Sequence, residues 1–489
     1  MKMFLKYAAI AIVFTLLGML LSDSKVAEVA RSAAKSAKTA TIEVVANTAD
    51  IDTRMVVLAE NPGLIKRIMQ GGAFGGEHSM AAAQNMFGRT EDAIEDVRNK
   101  TTVIEVGPRS YLIRMPIVNA VFFETDEGIV LVDTGMGPAG PAIMDAIRSV
   151  SDKPIHTIIY THGHVDHAYG TWAIMAAGET PQIIAHEKLV DRFNRYIRLR
   201  GSLAQYMSQP AEQLPRSKDD LVWPTQTFSD RLELEIGGET FILQHHRGET
   251  DDQLYVWVPG RKALASADYY QGFLPNAGNG KRSQRYVEDW AVALREMANL
   301  EPDILLPAHG AEITDPAIIA ENFTVLAQAL QYIVDHTIDG LNAGKRKDLI
   351  AASVQLPEHL ANHPTLKVQY VTANDISKML IKQYTGWWDD IPSHWTPAPM
   401  RDQGNMIIEL AGGNIPVLTQ YARELIGRDI QLASHLTDWL FYARPNNAEV
   451  QQLVYDVYRA RIMMPATNTM EMLTYLDQMT AARQRARTR

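Results

Sequence analysis

From about residue 101 the chain runs in short apolar blocks rich in Val and Ile: TTVIEV, YLIRM, AVFFET and GIVLVDTG. Gly, Pro and Asn separate them. Blocks of β-branched and aromatic residues bounded by turn formers predict strands. GIVLVDTG leads into a helix-like stretch and then into a further strand block, HTIIYTHGH. PQIIAH at 181–186 is another such block, followed by the helical EKLVDRFNRYIRL. Strands alternating with helices predict an α/β layered domain. Residues 228–246 predict a hairpin around Gly237-Gly238. DQLYVWVP, KALASAD and DILLPAHG follow, and the strand blocks end in polar clusters. Loops at the ends of buried strands are where ligands usually gather.

Past about 315 the strand texture stops. Apolar residues recur at helical spacing, beginning with AIIAENFTVLAQALQYIVDHTIDGLNAG, and predict an all-α region. Residues 25–100 are Ala-rich and helical in pattern, broken by GGAFGG at 71–76. They are expected to form an extension laid on the main domain. At the start, Lys2 and Lys6 precede an uncharged run, Tyr7 to Leu21, and then polar residues. That order suits an export signal. The run is shorter than the ~20 residues of a usual spanning helix. An uncleaved anchor and a buried N-terminal helix stay open. The expected organisation is a signal or anchor with linker at 1–40, a helical extension at 41–100, the α/β domain at 101–315 and a helical domain at 316–489. The expected location is exported, periplasmic or secreted, or held at a membrane by the N-terminal segment. The basic end, ARQRARTR, reads as a frayed helix terminus.

Composition changes the picture in two ways. The formal net charge of -10 lends no support to nucleic-acid binding. It also repels anionic substrates, so an anion needs a local positive site such as a metal. The absence of cysteine excludes disulfides, thiolate ligands and cysteine nucleophiles.

In THGHVDHAYG, His162, His164, Asp166 and His167 fall within six residues after a buried strand. Three imidazoles and a carboxylate at that spacing suit borderline divalent metals. His162 and His164 can face one ion, while Asp166 and His167 turn to a second. Gly163 and Gly170 are expected to permit the tight backbone.

H-x-H-x-D-H after a buried strand, with VDTG upstream, resembles the metallo-β-lactamase superfamily over about 101–315. The resemblance implies an αββα sandwich, with further ligands from three downstream loops. In GETDDQ, Glu249 stands where most members have His, with Asp251 and Asp252 as neighbouring alternatives. Asp268 in ASAD matches the bridging carboxylate, and His309 in PAHG the last ligand. Asp133 in LVDTG would accept the remaining N–H of a ligand histidine. His245 and His246 are read as packing or supporting residues. The implied centre has one zinc on His162, His164 and Glu249, and a second on Asp166, His167 and His309. Asp268 lies between the two Zn2+, and a metal-bound water or hydroxide is the nucleophile. Asp166 and Asp268 are the candidate catalytic residues.

Glu249 and the C-terminal half narrow the resemblance to the alkyl sulfatases. YTGWWDDIPSHWTP at 384–397 and the helices beyond it resemble that family's helical dimerisation domain. Asp268 is shorter than the Glu usual in those sulfatases. The resemblance implies an anionic alkyl sulfate ester as substrate and a homodimer through the helical domain. Tyr384, Trp387 and Trp388 would line the site or pack helices. Arg282 and Arg285 would contact sulfate or lie solvated at the surface. A dizinc hydrolase of a lactone, β-lactam or carboxylic ester is the alternative, and a non-catalytic metal-binding scaffold the second.

Overall fold

The computed structural model describes residues 53–61, 63, 64, 67, 85–207 and 209–487. The export signal expected at 1–40 and the GGAFGG break lie outside them. The described residues divide into two compact units, one lying within 85–395 and the other formed by those within 53–67 together with 396–487.

The first unit is built on two sheets. One has the order β1 (Thr102–Gly107), β2 (Ser110–Arg114), β3 (Asn119–Glu124), β4 (Ile129–Val132), β5 (Ile155–Ile159), β6 (Gln182–His186) and β7 (Gln226–Phe228). The other joins β8 (Arg231–Ile236), β9 (Glu239–His245), β10 (Leu254–Val258), β11 (Ala263–Ala267) and β12 (Ile304–Pro307), with β8 and β12 at its edges. Strands β4 to β7 run parallel, as do β11 and β12.

Side chains on a strand alternate between faces, and here both faces are apolar. Leu112, Phe123, Val130 and Ile159 join Phe241, Leu243, Val256 and Leu306 in one core that fills the space between the sheets. Their neighbours Ile113, Phe122, Leu131 and Ile158 join Ile143, Ile147, Ile174 and Phe193 of the covering helices in another. Near-continuous apolar strands are what a sheet covered on both faces requires. The expected αββα sandwich is therefore present. The β8–β9 hairpin turns at Gly237 and Gly238 with φ of 54° and 82°. Two successive positive φ values are the turn that matches strand twist, and they favour glycine.

The change of texture at 315 marks a change of secondary structure, while the compact unit continues to Trp395. The helix Pro316–Asn342 packs along Val287–Asn299. It is long and apolar enough to cross a membrane by length and composition. Its buried residues, Ile319, Phe323, Leu326, Leu330, Ile333 and Thr337, nevertheless follow the three- and four-residue spacing of an amphipathic core helix.

In the second unit, Met400–Leu410, Ile415–Ile426, Ile430–Ala443, Ala448–Met463 and Thr469–Arg487 form a helical bundle. Gly404 lets two helices touch, since a Cβ there would lie 2.0 Å from the Trp439 carbonyl oxygen. The N-terminal helix Thr53–Glu60 also packs here, against Thr469–Arg487. Arg54 pairs with Asp477, and Arg483 with Glu60. That part of the N-terminal extension therefore lies on the C-terminal bundle, not on the α/β domain as expected. Residues 85–100 belong to the first unit.

Candidate metal centre

Five strand ends converge. Asp133 follows β4, Thr161 and His162 follow β5, Glu249 follows β9, Asp268 follows β11, and His309 follows β12. His164 precedes a short helical turn, Val165–Ala168, that carries Asp166 and His167. Their ligand-capable atoms form two groups: His162, His164, Glu249 and Asp268, then Asp166, His167 and His309. Within each group these atoms lie within 4.8 Å of one another. Most of these side chains are buried, with His162 and His167 fully so, while His164 and Asp166 are half-buried.

Hydrogen bonds fix which imidazole nitrogens face inward. Asp133 Oδ2 accepts from His167 Nδ1 and from the Thr161 hydroxyl, both at 2.7 Å. Its Oδ1 accepts from the Thr161 backbone N–H, also at 2.7 Å. The Thr161 oxygen, its proton given to Asp133, accepts in turn from His162 Nδ1 at 3.2 Å. His309 Nδ1 donates to the Ile117 carbonyl at 2.6 Å. The Nε2 atoms of His162, His167 and His309 are thereby turned to the cluster, where His162 Nε2 lies 2.9 Å from His164 Nδ1. Three non-glycine residues around it hold positive φ: Ile117 at 76°, Asp133 at 60° and Ala267 at 49°. Such strain costs about 1–3 kcal/mol per residue and persists where the surroundings enforce it.

Asp268 lies between the groups. Its Oδ1 is 3.4 Å from His167 Nε2 and 3.3 Å from His309 Nε2, and its Oδ2 is 4.0 Å from His162 Nε2. Asp166 Oδ2 sits 3.7 Å and 3.6 Å from the Nε2 atoms of His167 and His309. Burial pulls His167 toward its neutral form, but Asp268, Asp166 and Asp133 outweigh it and hold its pKa well above the usual value. Burial leads the opposite outcome at His162, whose pKa is held well below the usual value. His167 Nε2 and Asp268 Oδ1 are buried without a hydrogen bond, because their mutual approach lacks the alignment of one. Buried polar atoms are rarely left so. Nitrogen and carboxylate donors aimed at shared points fit divalent cations such as zinc.

Glu249 is held from several sides. Its Oε1 is 2.7 Å from Arg285 Nη1 and accepts from Asn276 Nδ2 at 3.0 Å. Gln271 Nε2 reaches Glu249 Oε2 at 3.3 Å and Asp268 Oδ2 at 3.2 Å. The Glu249 N–H donates to Gln253 Oε1 at 2.8 Å. Asp251 and Asp252, the alternatives to Glu249, pair instead with buried Arg192. Asp252 also accepts from the Gly163 N–H at 2.7 Å and so ties down the histidine loop. Gly170 serves by size rather than by positive φ, since a Cβ there would lie 1.9 Å from the Thr134 carbonyl oxygen.

Other expected residues are placed elsewhere. Arg285 is 2% exposed, neither solvated nor at the surface, and clasps Glu249 by carboxylate and carbonyl. Arg282 is half-buried, its N–H closing a turn on Asn279. Tyr384 is exposed, with its hydroxyl on Glu288 at 2.8 Å, and Trp387 is 72% exposed against the Trp395 ring. Gln271, Asn276, Gln253 and Thr161 were not singled out from the sequence as supports. Their signal is slight: polar residues just past strand blocks.

His246 pairs with Glu296, and His245 stacks on His186 with ring centroids 3.6 Å apart. Burial, then His186, lowers the His245 pKa to about 4. A histidine that prefers to be neutral when folded stabilises the fold above its ordinary pKa of about 6.5. That contribution falls away as pH drops from there toward 4. His245→Phe is therefore expected to flatten the loss of melting temperature between neutral and mildly acidic pH. Equal slopes in a thermal-shift series would refute this.

Comparison with known proteins agrees with this geometry. Residues 114–309 match the metallo-beta-lactamase superfamily, and residues 347–485 match the alkyl sulfatase dimerisation family. The α/β unit thus carries a metallo-β-lactamase superfamily domain. The chain joins that domain to an alkyl sulfatase dimerisation domain. A linear primary-alkylsulfatase from Pseudomonas sp. is 28% identical over 65% of this chain and 65% of its own length. The alkyl/aryl-sulfatase BDS1 of Saccharomyces cerevisiae is 23% identical over 70% of this chain and 58% of its own. The chain thus spans less than two thirds of either relative. The solved stereoselective inverting sec-alkylsulfatase Pisa1 from Pseudomonas sp. shares the fold, with a TM-score of 0.69 at 18% identity. That match covers 91% of this chain and 77% of the other.

Proposed function

We propose that the chain hydrolyses alkyl sulfate esters to an alcohol and inorganic sulfate, with two zinc ions held at the cluster. The supporting observation is the union on one chain of a buried metallo-β-lactamase ligand cluster that includes Glu249 with an alkyl sulfatase dimerisation domain. His162, His164 and Glu249 would hold one ion and Asp166, His167 and His309 the other, with Asp268 serving both. Bound there, the ions supply Lewis acidity toward an anionic ester and make water more acidic. The protein's own residues supply orientation. Asp133 fixes His167 directly and His162 through Thr161, and the Ile117 carbonyl fixes His309. Arg285, Asn276 and Gln271 orient Glu249. Burial keeps the local dielectric low, which strengthens every charge interaction with an incoming sulfate.

Homodimer formation through the helical unit belongs to the same proposal. Met406, Leu410, Val417 and Tyr421 are exposed on two consecutive helices of that unit, which supports an apolar contact there. Export is proposed from the basic, apolar and polar order of the N-terminus.

Purified protein is expected to carry about two zinc ions per chain and to release sulfate from a medium-chain alkyl sulfate. Zinc content by mass spectrometry and a panel of sulfate, phosphate and carboxylic esters and lactones provide the test. Zinc without sulfate release at any chain length would sink the substrate assignment. A folded protein that takes up no metal would sink the metal assignment.

A further inference from the structure

We infer that the two cation positions are unequal: the position at Asp166, His167 and His309 is the tight one, and the position at His162, His164 and Glu249 is weaker and exchangeable, because Arg285 already neutralises Glu249. This inference rests on the proposal of two bound cations and adds an order of filling.

Three observations carry it. First, the charge that Glu249 brings is shared. Its Oε1 lies 2.7 Å from the guanidinium of Arg285, which is 2% exposed. A buried guanidinium cancels the carboxylate and repels a neighbouring cation, and burial weakens the screening of that repulsion. Second, the other group keeps its charge. The Asp166 carboxylate faces the inward nitrogens of His167 and His309 at 3.7 Å and 3.6 Å. Behind His167, Asp133 accepts from Nδ1 at 2.7 Å, which makes the other ring nitrogen a stronger donor. Third, the two oxygens of the shared carboxylate differ. Oδ1, which accepts no hydrogen bond, lies 3.4 Å and 3.3 Å from His167 and His309, whereas Oδ2, 4.0 Å from His162, is already engaged by Gln271. Cation affinity rises with the charge that the ligands bring. The unshared carboxylate and the unengaged oxygen of the bridging one face the same group.

The consequence is a protein that holds one ion firmly and takes up the second according to metal supply. At low free zinc, the singly loaded form accumulates, with His162, His164 and Glu249 awaiting their ion.

The experiment titrates metal-stripped, full-length protein with Zn2+ by calorimetry and with Co2+ by visible absorption. Two steps separated by about tenfold or more are expected. His309→Ala is expected to remove the tight step, and His164→Ala the weak one while leaving the tight step intact. Arg285→Gln removes the charge while Asn276 and Gln271 still hold Glu249, so the weak step is expected to tighten by about tenfold. Arg285→Lys keeps the charge and is expected to keep the gap. Two equal steps in the wild type, or loss of the tight step in His164→Ala, would overturn the inference while leaving two bound ions. An unchanged or wider gap in folded Arg285→Gln would overturn the role of Arg285. If Arg285→Gln does not fold, the two histidine variants still decide the order. Absence of any metal uptake would strike the two-ion proposal itself.

Discussion

Asp268→Asn is expected to lower sulfate-releasing turnover by about a thousandfold or more and to reduce bound metal. Asp268 is the carboxylate within 4 Å of histidines from both ligand groups. Charge stabilisation by such ions is worth several kcal/mol, and each 1.36 kcal/mol is a factor of ten in rate. Asn keeps the volume of Asp, and its carbonyl oxygen can still accept from Gln271. The amide cannot supply the charge, and its NH2 would face histidine nitrogens that need an anion or a cation opposite. Melting temperatures of the metal-stripped proteins separate the two effects, since a fold failure would lower that of the variant and a ligand failure would not. Turnover within about tenfold of the wild type, with metal retained, would show that Asp268 does not serve both ions.

The loop THGHVDHAYG was legible in the sequence because its chemistry is local. Four ligand-type side chains lie within six residues, and the strand before them is a plain apolar block. The same holds for the layers. Leu112 and Ile113, or Phe122 and Phe123, are adjacent apolar residues that face two different cores, and such runs announce a sheet covered on both faces. The supports of the site were not legible in this way. Gln271, Asn276 and Arg285 reach Glu249 across 22, 27 and 36 residues of chain. Nothing in a local polar pattern distinguishes them from solvated neighbours. Arg285 shows the difficulty most clearly, since a charged residue among Lys281, Arg282 and Gln284 reads as surface, yet it is almost fully buried. The N-terminal helix is a case of distance alone. Arg54 and Asp477 meet across 423 residues, and helical periodicity cannot state which bundle a helix will join.

Glu249→Ala is expected to destabilise the first unit by about 3–5 kcal/mol, apart from any effect on metal. Removing one partner of a buried ion pair leaves the other charge uncompensated in a low-dielectric interior, and that is the usual cost. Arg285 has no easy escape to water, because it is 2% exposed and its guanidinium also holds the Glu249 carbonyl. Arg285→Met added to Glu249→Ala removes the stranded charge. Replacing both members of a buried pair with apolar side chains is often neutral or stabilising. The double variant is therefore expected to recover most of the lost stability in urea unfolding without recovering metal at His162 and His164. That divergence separates the two duties of Glu249, partner of Arg285 and ligand of a cation. A single variant as stable as the wild type would mean that Arg285 finds its compensation elsewhere. A double variant that regained stability and full metal uptake together would mean that the cation position does not need the carboxylate.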